Sequence, residues 1–343
     1  MTGSVPTAET IDVGGPFFEQ LSAGQWSPPV PALTLTDGHA AVHQAIVGDR
    51  LALALDVRLS AAVTGSERPL AHPALVWDVA IGQSTLLTQR VIGNLFYRGL
   101  VFHRAPVIGD TLQTTTEVAA LRQNAARAGR AATGMAVLRV RTTDQHDRRV
   151  LDFWRCAMLP LSDPDGRTDH ADPLDTIPVA LEPGALGGAV AGWRLERMRE
   201  TREGADEEPL VPGTVWRLLG GDVVSDAPEL ARMSLNVAVA HHDARASGRR
   251  LVYGGHTIGI AASHLSRALP RLATIVAWHG CDHTGPVMEG DTLSSVVELE
   301  RIEPLDGHDG ARLAHLRCRV SATRDGAPEP VEVLDWRPVG VLP

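Results

Sequence analysis

The residues of this chain with chemical potential gather in one stretch. Asn236-Val237-Ala238-Val239-Ala240-His241-His242-Asp243 is followed, after an Arg-containing turn, by Arg250-Leu251-Val252-Tyr253-Gly254-Gly255-His256. An imidazole moves protons near neutral pH, and His241 stands between Asn236 and the glycine turn. A helix starting at Gly254 or Gly255 leaves backbone N–H groups free to hold negative charge. Asp243 precedes Ala244-Arg245-Ala246 and reads first as a helix N-cap. His242 reads as facing solvent, and His256 as a helix cap or a pocket residue. A second cluster, His279-Gly280-Cys281-Asp282-His283, offers metal-ligand types. Its spacing fits no zinc pattern, so no metal site is assigned. Arg98 and Arg104 read as solvated, or as partners for an anion.

Composition narrows the field. The chain has 343 residues, a size that suits two domains. It is 44% hydrophobic and 21% charged, the balance of a folded chain. Net charge is −9, and no basic cluster suits nucleic acid. No apolar run reaches the roughly 18 residues of a membrane span. The first residues show no basic and apolar signal pattern, so a cytoplasmic protein is expected. All 32 basic residues are Arg, which excludes lysine Schiff-base chemistry, a P-loop lysine and a kinase lysine. Cys156, Cys281 and Cys318 are scattered without a C-x-x-C, which suggests buried free thiols.

The elements that must position these residues come in two copies. Pro106-Val107-Ile108-Gly109-Asp110-Thr111-Leu112 recurs as Pro286-Val287-Met288-Glu289-Gly290-Asp291-Thr292-Leu293. Phe102-His103-Arg104 and Cys281-Asp282-His283 precede the copies. Leu151-Asp152-Phe153-Trp154-Arg155 recurs as Leu334-Asp335-Trp336-Arg337, and Gly24-Gln25-Trp26 is matched by Gly213-Thr214-Val215-Trp216. A repeat of about 180 residues is a duplicated domain, since solenoid periods are far shorter. The expected units are residues 16–160 and 190–343, joined by a Pro-, Gly- and Asp-rich linker over 161–189 that crosses the surface of one half.

Each unit reads as one helix followed by strands. Helical spacing runs over 72–88 and 255–269, with small residues that allow close approach to a sheet. Strand alternation covers 99–104, 113–122, 131–142 and 150–159, then 274–279, 293–302, 311–322 and 331–339. One helix with an antiparallel sheet is an α+β layout.

These landmarks together resemble the MaoC-like, R-specific enoyl-CoA hydratase superfamily, as a double hotdog protein near its mesaconyl-CoA hydratase branch. The resemblance covers nearly the whole chain. It implies two tandem hotdog units, each an antiparallel sheet wrapped around a central helix. It also implies a hydro-lyase acting at the α,β bond of an acyl-CoA thioester, with no metal or redox cofactor and CoA as part of the substrate. The family signature, D-x-N-P-x-H-x-D, places its His on His241 and its following Asp on Asp243. Its first Asp falls on Asn236. In the family the Asp and His hold a water and shuttle its protons, while an N–H at the helix head holds the thioester oxygen. That assigns His241 and Asn236 to catalysis, Asp243 to support, and Gly254, Gly255 and His256 to the oxyanion hole and substrate. Arg98 and Arg104 become candidates for CoA phosphates or a substrate carboxylate.

In the first half Gly48-Asp49 resembles the start of the motif, Ala54 stands at the His position, and the half reads as chemically empty, with Asp49 a relic. Asn236 is the departure, because an amide takes no proton near neutral pH. Three outcomes stay open. His241 acts alone with Asn236 orienting the water, or Asp243 or another carboxylate takes the role, or the protein binds acyl-CoA without turning it over. A thioesterase would need a carboxylate facing the thioester carbonyl. The resemblance leaves a monomeric pseudo-dimer and a homodimer equally open.

Overall fold

Val, Leu and Thr alternating with polar residues become long strands in both halves of this computed structural model, which describes residues 10–175, 177–178, 181, 184–200, 210–246, 248–324, 326 and 329–343. The first half runs β1 (Leu33–Thr34), α1 (Asp37–Val47), α2 (Ala52–Leu55), α3 (Val57–Thr64), α4 (Pro73–Gln83), β2 (Gly93–Phe102), β3 (Thr111–Gln123), β4 (Thr133–Thr143) and β5 (Arg149–Pro160). The second runs α5 (Glu196–Glu200), β6 (Val215–Arg217), β7 (Asp222–Val223), α6 (Ala227–Met233), α7 (Gly254–Ala268), β8 (Thr274–His283), β9 (Thr292–Pro304), β10 (Arg312–Thr323) and β11 (Val331–Leu342). The expected strands are all present. β2 and β8 extend beyond the stretches read from sequence, and the short helices α1, α2, α3, α5 and α6 were not legible there.

All pairings are antiparallel. The order β3-β4-β5-β2 in one half is mirrored by β9-β10-β11-β8 in the other. The two sheets fuse where β2 pairs with β8, with Tyr97 opposite Cys281 and Leu100 opposite Trp278. The Gly-Trp landmarks lie along equivalent outer edges: Trp26 bridges Glu117 on β3, and Trp216 pairs with Val297 on β9.

α4 is buried along its whole length. His72 caps it, its ring nitrogen accepting from the Ala74 N–H at 2.9 Å, and Pro73 occupies the first turn where its missing N–H costs nothing. A helix apolar all round belongs inside a core. α7 is the matching central helix. Trp77 of α4 meets Trp278 of β8 and Trp336 of β11, with ring centroids 4.8 and 6.0 Å away, so the largest side chains of the two halves share one core.

The repeated Pro-Val motif is a turn that locks the entry to each central helix. Asp110 accepts from the Val107 N–H at 3.0 Å and Asp291 from the Met288 N–H at 2.9 Å. Val107 bridges Leu70 just ahead of α4, and Met288 bridges Leu251 just ahead of α7. The Leu-Asp-x-Trp likeness holds in a different register from the one residue types suggest. Asp152 faces Arg141 and Asp335 faces Arg319, and the next residues, Phe153 and Trp336, are both fully buried. Trp336 is therefore the counterpart of Phe153, and Pro338, not Arg337, is the counterpart of Arg155.

After β5 the chain follows the first half, with Ala171 bridging Arg122 and Asp172 accepting from the Leu121 N–H at 2.8 Å. Among the described residues no helix is long and apolar enough to cross a membrane.

Candidate active site

α6 ends in a turn that delivers Asn236. The Leu235 N–H donates to the Arg232 carbonyl at 3.1 Å and the Asn236 N–H to the Ala231 carbonyl at 2.9 Å, a Schellman pairing. Leu235 takes φ 61°, a left-handed conformation that costs a bulky residue about 1–2 kcal/mol. The segment can settle there because Gly82 leaves room. A Cβ at Gly82 would lie 1.9 Å from the Ser234 carbonyl oxygen. Val237 N–H then donates to Thr85 Oγ1 at 3.0 Å, tying the segment to the end of α4.

Asn236 is buried, and its Oδ1 accepts from the Ala238 N–H at 2.9 Å. With that oxygen engaged, the amide offers its Nδ2 donors. His242 does not face solvent freely, since its Nε2 donates to the Asn236 carbonyl at 2.7 Å and braces the turn. His241 lies in a one-turn 3-10 helix, Val239–His241. Its Nδ1 donates to the Leu251 carbonyl at 3.0 Å, which fixes the tautomer and leaves Nε2 as a proton acceptor. Burial pulls its pKa down to about 4, outweighing the raising effect of that carbonyl, so the ring is neutral at pH 7.

A cavity of about 360 Å³ brings these groups together. Asn236, His241 and Gly254 line it from the second half. Thr85, Tyr97 and Arg155 line it from the first. No Asp or Glu is among its described lining residues. Gly254 is the first residue of α7 and opens the helix head to the cavity. The point where a Cβ would stand on it lies 2.9 Å from His283 Nε2 and 3.6 Å from the Tyr97 hydroxyl. His283 Nε2 is sealed from solvent without a partner, and burial pushes its pKa down to about 4.

The other expected site residues fall elsewhere. Gly255 packs against Asp78, whose Oδ1 lies 2.0 Å from where a Cβ would stand, and does not line the cavity. His256 is fully buried in the core beside it, both ring nitrogens without partners and its pKa lowered to about 4 by burial. Asp243 is bound by Arg245, whose Nη2 lies 2.7 Å from Oδ2, and it accepts from the Arg245 N–H as a cap. That pairing holds its carboxyl down to about 2, outside the cavity. Arg98 pairs with Asp282 at 2.6 Å across the β2–β8 seam, its guanidinium carbon 4.5 Å above the Phe96 ring centroid. Arg104 lies 3.7 Å from Asp144. Neither lines the cavity.

His279 bonds to His315 at 2.8 Å and is left out of the strand register between Trp278 and Gly280. Among the described residues no group of three or more His, Cys, Asp or Glu side chains is arranged to hold a metal.

The first half buries two His–Asp pairs. His43 contacts buried Asp78 at 3.2 Å, and His72 contacts buried Asp49 at 3.0 Å. Burial raises the pKa of Asp78. Burial also pushes Asp49 up, but the charge and hydrogen bond of His72 carry it below the usual carboxylate range. Asp49 also accepts from the Leu51 N–H at 2.7 Å, so it organises the chain between α1 and α2. Ahead of α4, Ser60 accepts from the Leu70 N–H at 3.1 Å. Sequence reasoning missed Arg155, Tyr97 and the cavity role of His283.

Two fused sheets around two buried helices, with one helix head open to a cavity built by both halves, define a double hotdog protein. This chain belongs to the double hotdog proteins. A conserved Mycobacterium tuberculosis protein, described as essential for bacterial survival during infection and as having a double hotdog fold, is 51% identical, with a TM-score of 0.89 over 96% of this chain and 99% of that one. Beta-methylmalyl-CoA dehydratase of Chloroflexus aurantiacus is 29% identical over 322 residues, covering 91% of this chain and 89% of the relative. Mesaconyl-CoA hydratase of Cereibacter sphaeroides is 26% identical over 329 residues, covering 91% and 90%. No protein-family model matches the chain.

Proposed function

We propose that this protein is an acyl-CoA hydro-lyase that adds water to, or removes it from, the α,β bond of the thioester. The observation that carries the reading is the fixed tautomer of His241, which turns a bare Nε2 toward a cavity shared with Asn236 and the head of α7. The two curated relatives, named a CoA dehydratase and a CoA hydratase, support it.

In hydration, the Asn236 Nδ2 donors hold the water oxygen. His241 Nε2 takes a proton from that water as its oxygen bonds to the β-carbon. The electron pair of the double bond moves to the thioester oxygen as an enolate, held at the positive end of α7. The imidazolium then gives its proton to the α-carbon and the thioester re-forms. Burial favours this last step, because a protonated ring in an apolar site is a ready acid. One imidazole thus serves as base and acid. The pairing of Asp243 with Arg245 speaks for a capping role instead, and no described lining residue of the cavity is a carboxylate of the kind a thioesterase would need.

The reading needs no group beyond the CoA of the substrate. It suits a cytoplasmic protein, which the three buried free thiols also fit. Since one chain supplies both walls of the cavity, a monomeric pseudo-dimer suffices.

Purified protein mixed with crotonyl-CoA and with mesaconyl-CoA should deplete the enoyl absorbance of at least one. If neither is depleted while CoA esters still raise the unfolding temperature, the protein is a binder and not an enzyme.

A further inference from the structure

The chain has two tyrosines, and both line the cavity. Tyr253, the residue just ahead of α7, spends its hydroxyl on the Asp78 carbonyl at 3.0 Å. Tyr97 comes from the other half, on β2. It is 1% exposed, and its hydroxyl lies 3.6 Å from the point where a Cβ would stand on Gly254. Among the described residues nothing bonds to that hydroxyl, and it is not a sealed atom as His283 Nε2 is, so it opens to the cavity.

A phenol inside a protein usually finds a hydrogen-bond partner, because an unbonded one carries a desolvation penalty. The walls hold this one in place. Tyr97 pairs with Arg155 on β5 and with Cys281 on β8. Its ring packs on Phe153, Trp278 and His283, with centroids 6.1, 5.8 and 5.9 Å away. Burial pushes its pKa above the ordinary phenol value, so the oxygen keeps its proton at working pH. The N–H of Gly254 beside it is in the first turn of α7, where no intrahelical acceptor is available. A fixed hydroxyl donor set against a helix N-terminus suits an oxygen that gains negative charge.

We propose that Tyr97 is a catalytic residue, whose hydroxyl donates a hydrogen bond to the thioester oxygen at the head of α7. The bond strengthens as that oxygen takes up enolate charge, and the hydroxyl keeps its proton throughout. The inference rests on the acyl-CoA reading above, and it makes the oxyanion hole a joint product of the two halves.

The test reads the thioester carbonyl itself. Butyryl-CoA, which has no double bond to hydrate, is labelled with a heavy carbon isotope at the carbonyl and bound to the full chain. Infrared difference spectra then record the carbonyl stretch. The unmodified protein should lower its frequency relative to the free ester. Tyr97→Phe, which removes one oxygen and keeps the ring, should move the band back up. Tyr253→Phe, which loses a bond within the core, should leave the band where the unmodified protein puts it. With an enoyl-CoA that is turned over, Tyr97→Phe should lower kcat by about 10²–10³-fold, the range for an oxyanion-hole donor, and leave KM within about threefold. A purely structural hydroxyl would change the melting temperature and not the band. An unmoved band in Tyr97→Phe overturns the proposal, as does an equal upward shift in Tyr253→Phe. So does a band in the unmodified protein no lower than that of the free ester, a comparison that stands even where a variant fails to fold. Turnover is read separately. A moved band without turnover removes the hydro-lyase reading and keeps the contact of Tyr97 with the thioester; turnover with an unmoved band does the reverse.

Discussion

The His241 ring is held by the Leu251 carbonyl at 3.0 Å, and Leu251 is itself bridged to Met288 of the repeated turn motif. The motif that marks the fold therefore also sets the angle of the candidate base. Val252 N–H, donating to the Val287 carbonyl at 2.9 Å, stiffens the same junction. An imidazole fixed this way needs no triad partner to choose its tautomer.

Replacing His241 by Ala should lower kcat for enoyl-CoA hydration by about 10²–10⁴-fold, the range for loss of a general acid–base group. Far-UV circular dichroism should be unchanged. Rates within twofold of the unmodified protein would remove His241 from the mechanism.

Asn236→Ala should lower kcat by roughly tenfold or more and leave KM less affected, because the lost amide is assigned to the attacking water and not to CoA. It also strands the Ala238 N–H, at a cost of about 1 kcal/mol in stability. Steady-state kinetics and thermal melts on one preparation separate the two effects.

Gly254→Ala puts a methyl 2.9 Å from His283 Nε2, at the mouth of α7. We expect at least a tenfold loss in kcat/KM with an intact fold. The double variant Gly254→Ala/His283→Ala, which clears the collision, should recover part of it. No recovery would mean that the methyl acts on the substrate directly.

Gly82→Ala drives a methyl into the Ser234 carbonyl, 1.9 Å from its oxygen. Overpacking of this kind costs about 1–3 kcal/mol. A lower melting temperature is expected, together with weaker activity, since the displaced segment carries Asn236 and His241. A melting point equal to that of the unmodified protein would contradict the packing described.

His241, His256 and His283 are each pulled by burial to about 4, against an ordinary value near 6.5. Between those values the unfolded chain binds more protons than the folded one, so stability rises with pH across that window. Acidification from about pH 6.5 to 4 should remove on the order of 8 kcal/mol in all, and above pH 7 these rings should add no further dependence. Urea melts at a series of pH values would show it. A flat profile from pH 7 to 4 would refute the buried neutral state.

Much of the architecture was legible because duplication repeats its own landmarks, and alternating Val and Thr mark each strand. His241 and Asn236 were singled out through the resemblance to the family signature and Gly254 through the glycine-led helix, and the three line one cavity. Arg155 was not. Matching Trp154 to Trp336 by type shifts β5 by one position against β11 and pairs Arg155 with Arg337, an exposed-face residue near Glu300. Burial, which sequence does not display, restores the register. His283 was hidden differently. In sequence it stood in a run of metal-ligand types to which no metal site was assigned, and nothing in that run pointed to the helix head it lines. The His–Asp contacts beneath α4 were missed because His43, Asp49, His72 and Asp78 converge only in three dimensions.

The seam between β2 and β8 has one more consequence. Joined by identical subunits, such a sheet would have to repeat every change at both helix heads. Held in a single polypeptide, the two heads drift apart: one closes over His–Asp pairs, the other stays open as a vestibule. The sealed head can then serve as foundation for its sibling, as Tyr253 shows by donating from the open side to the Asp78 carbonyl at 3.0 Å.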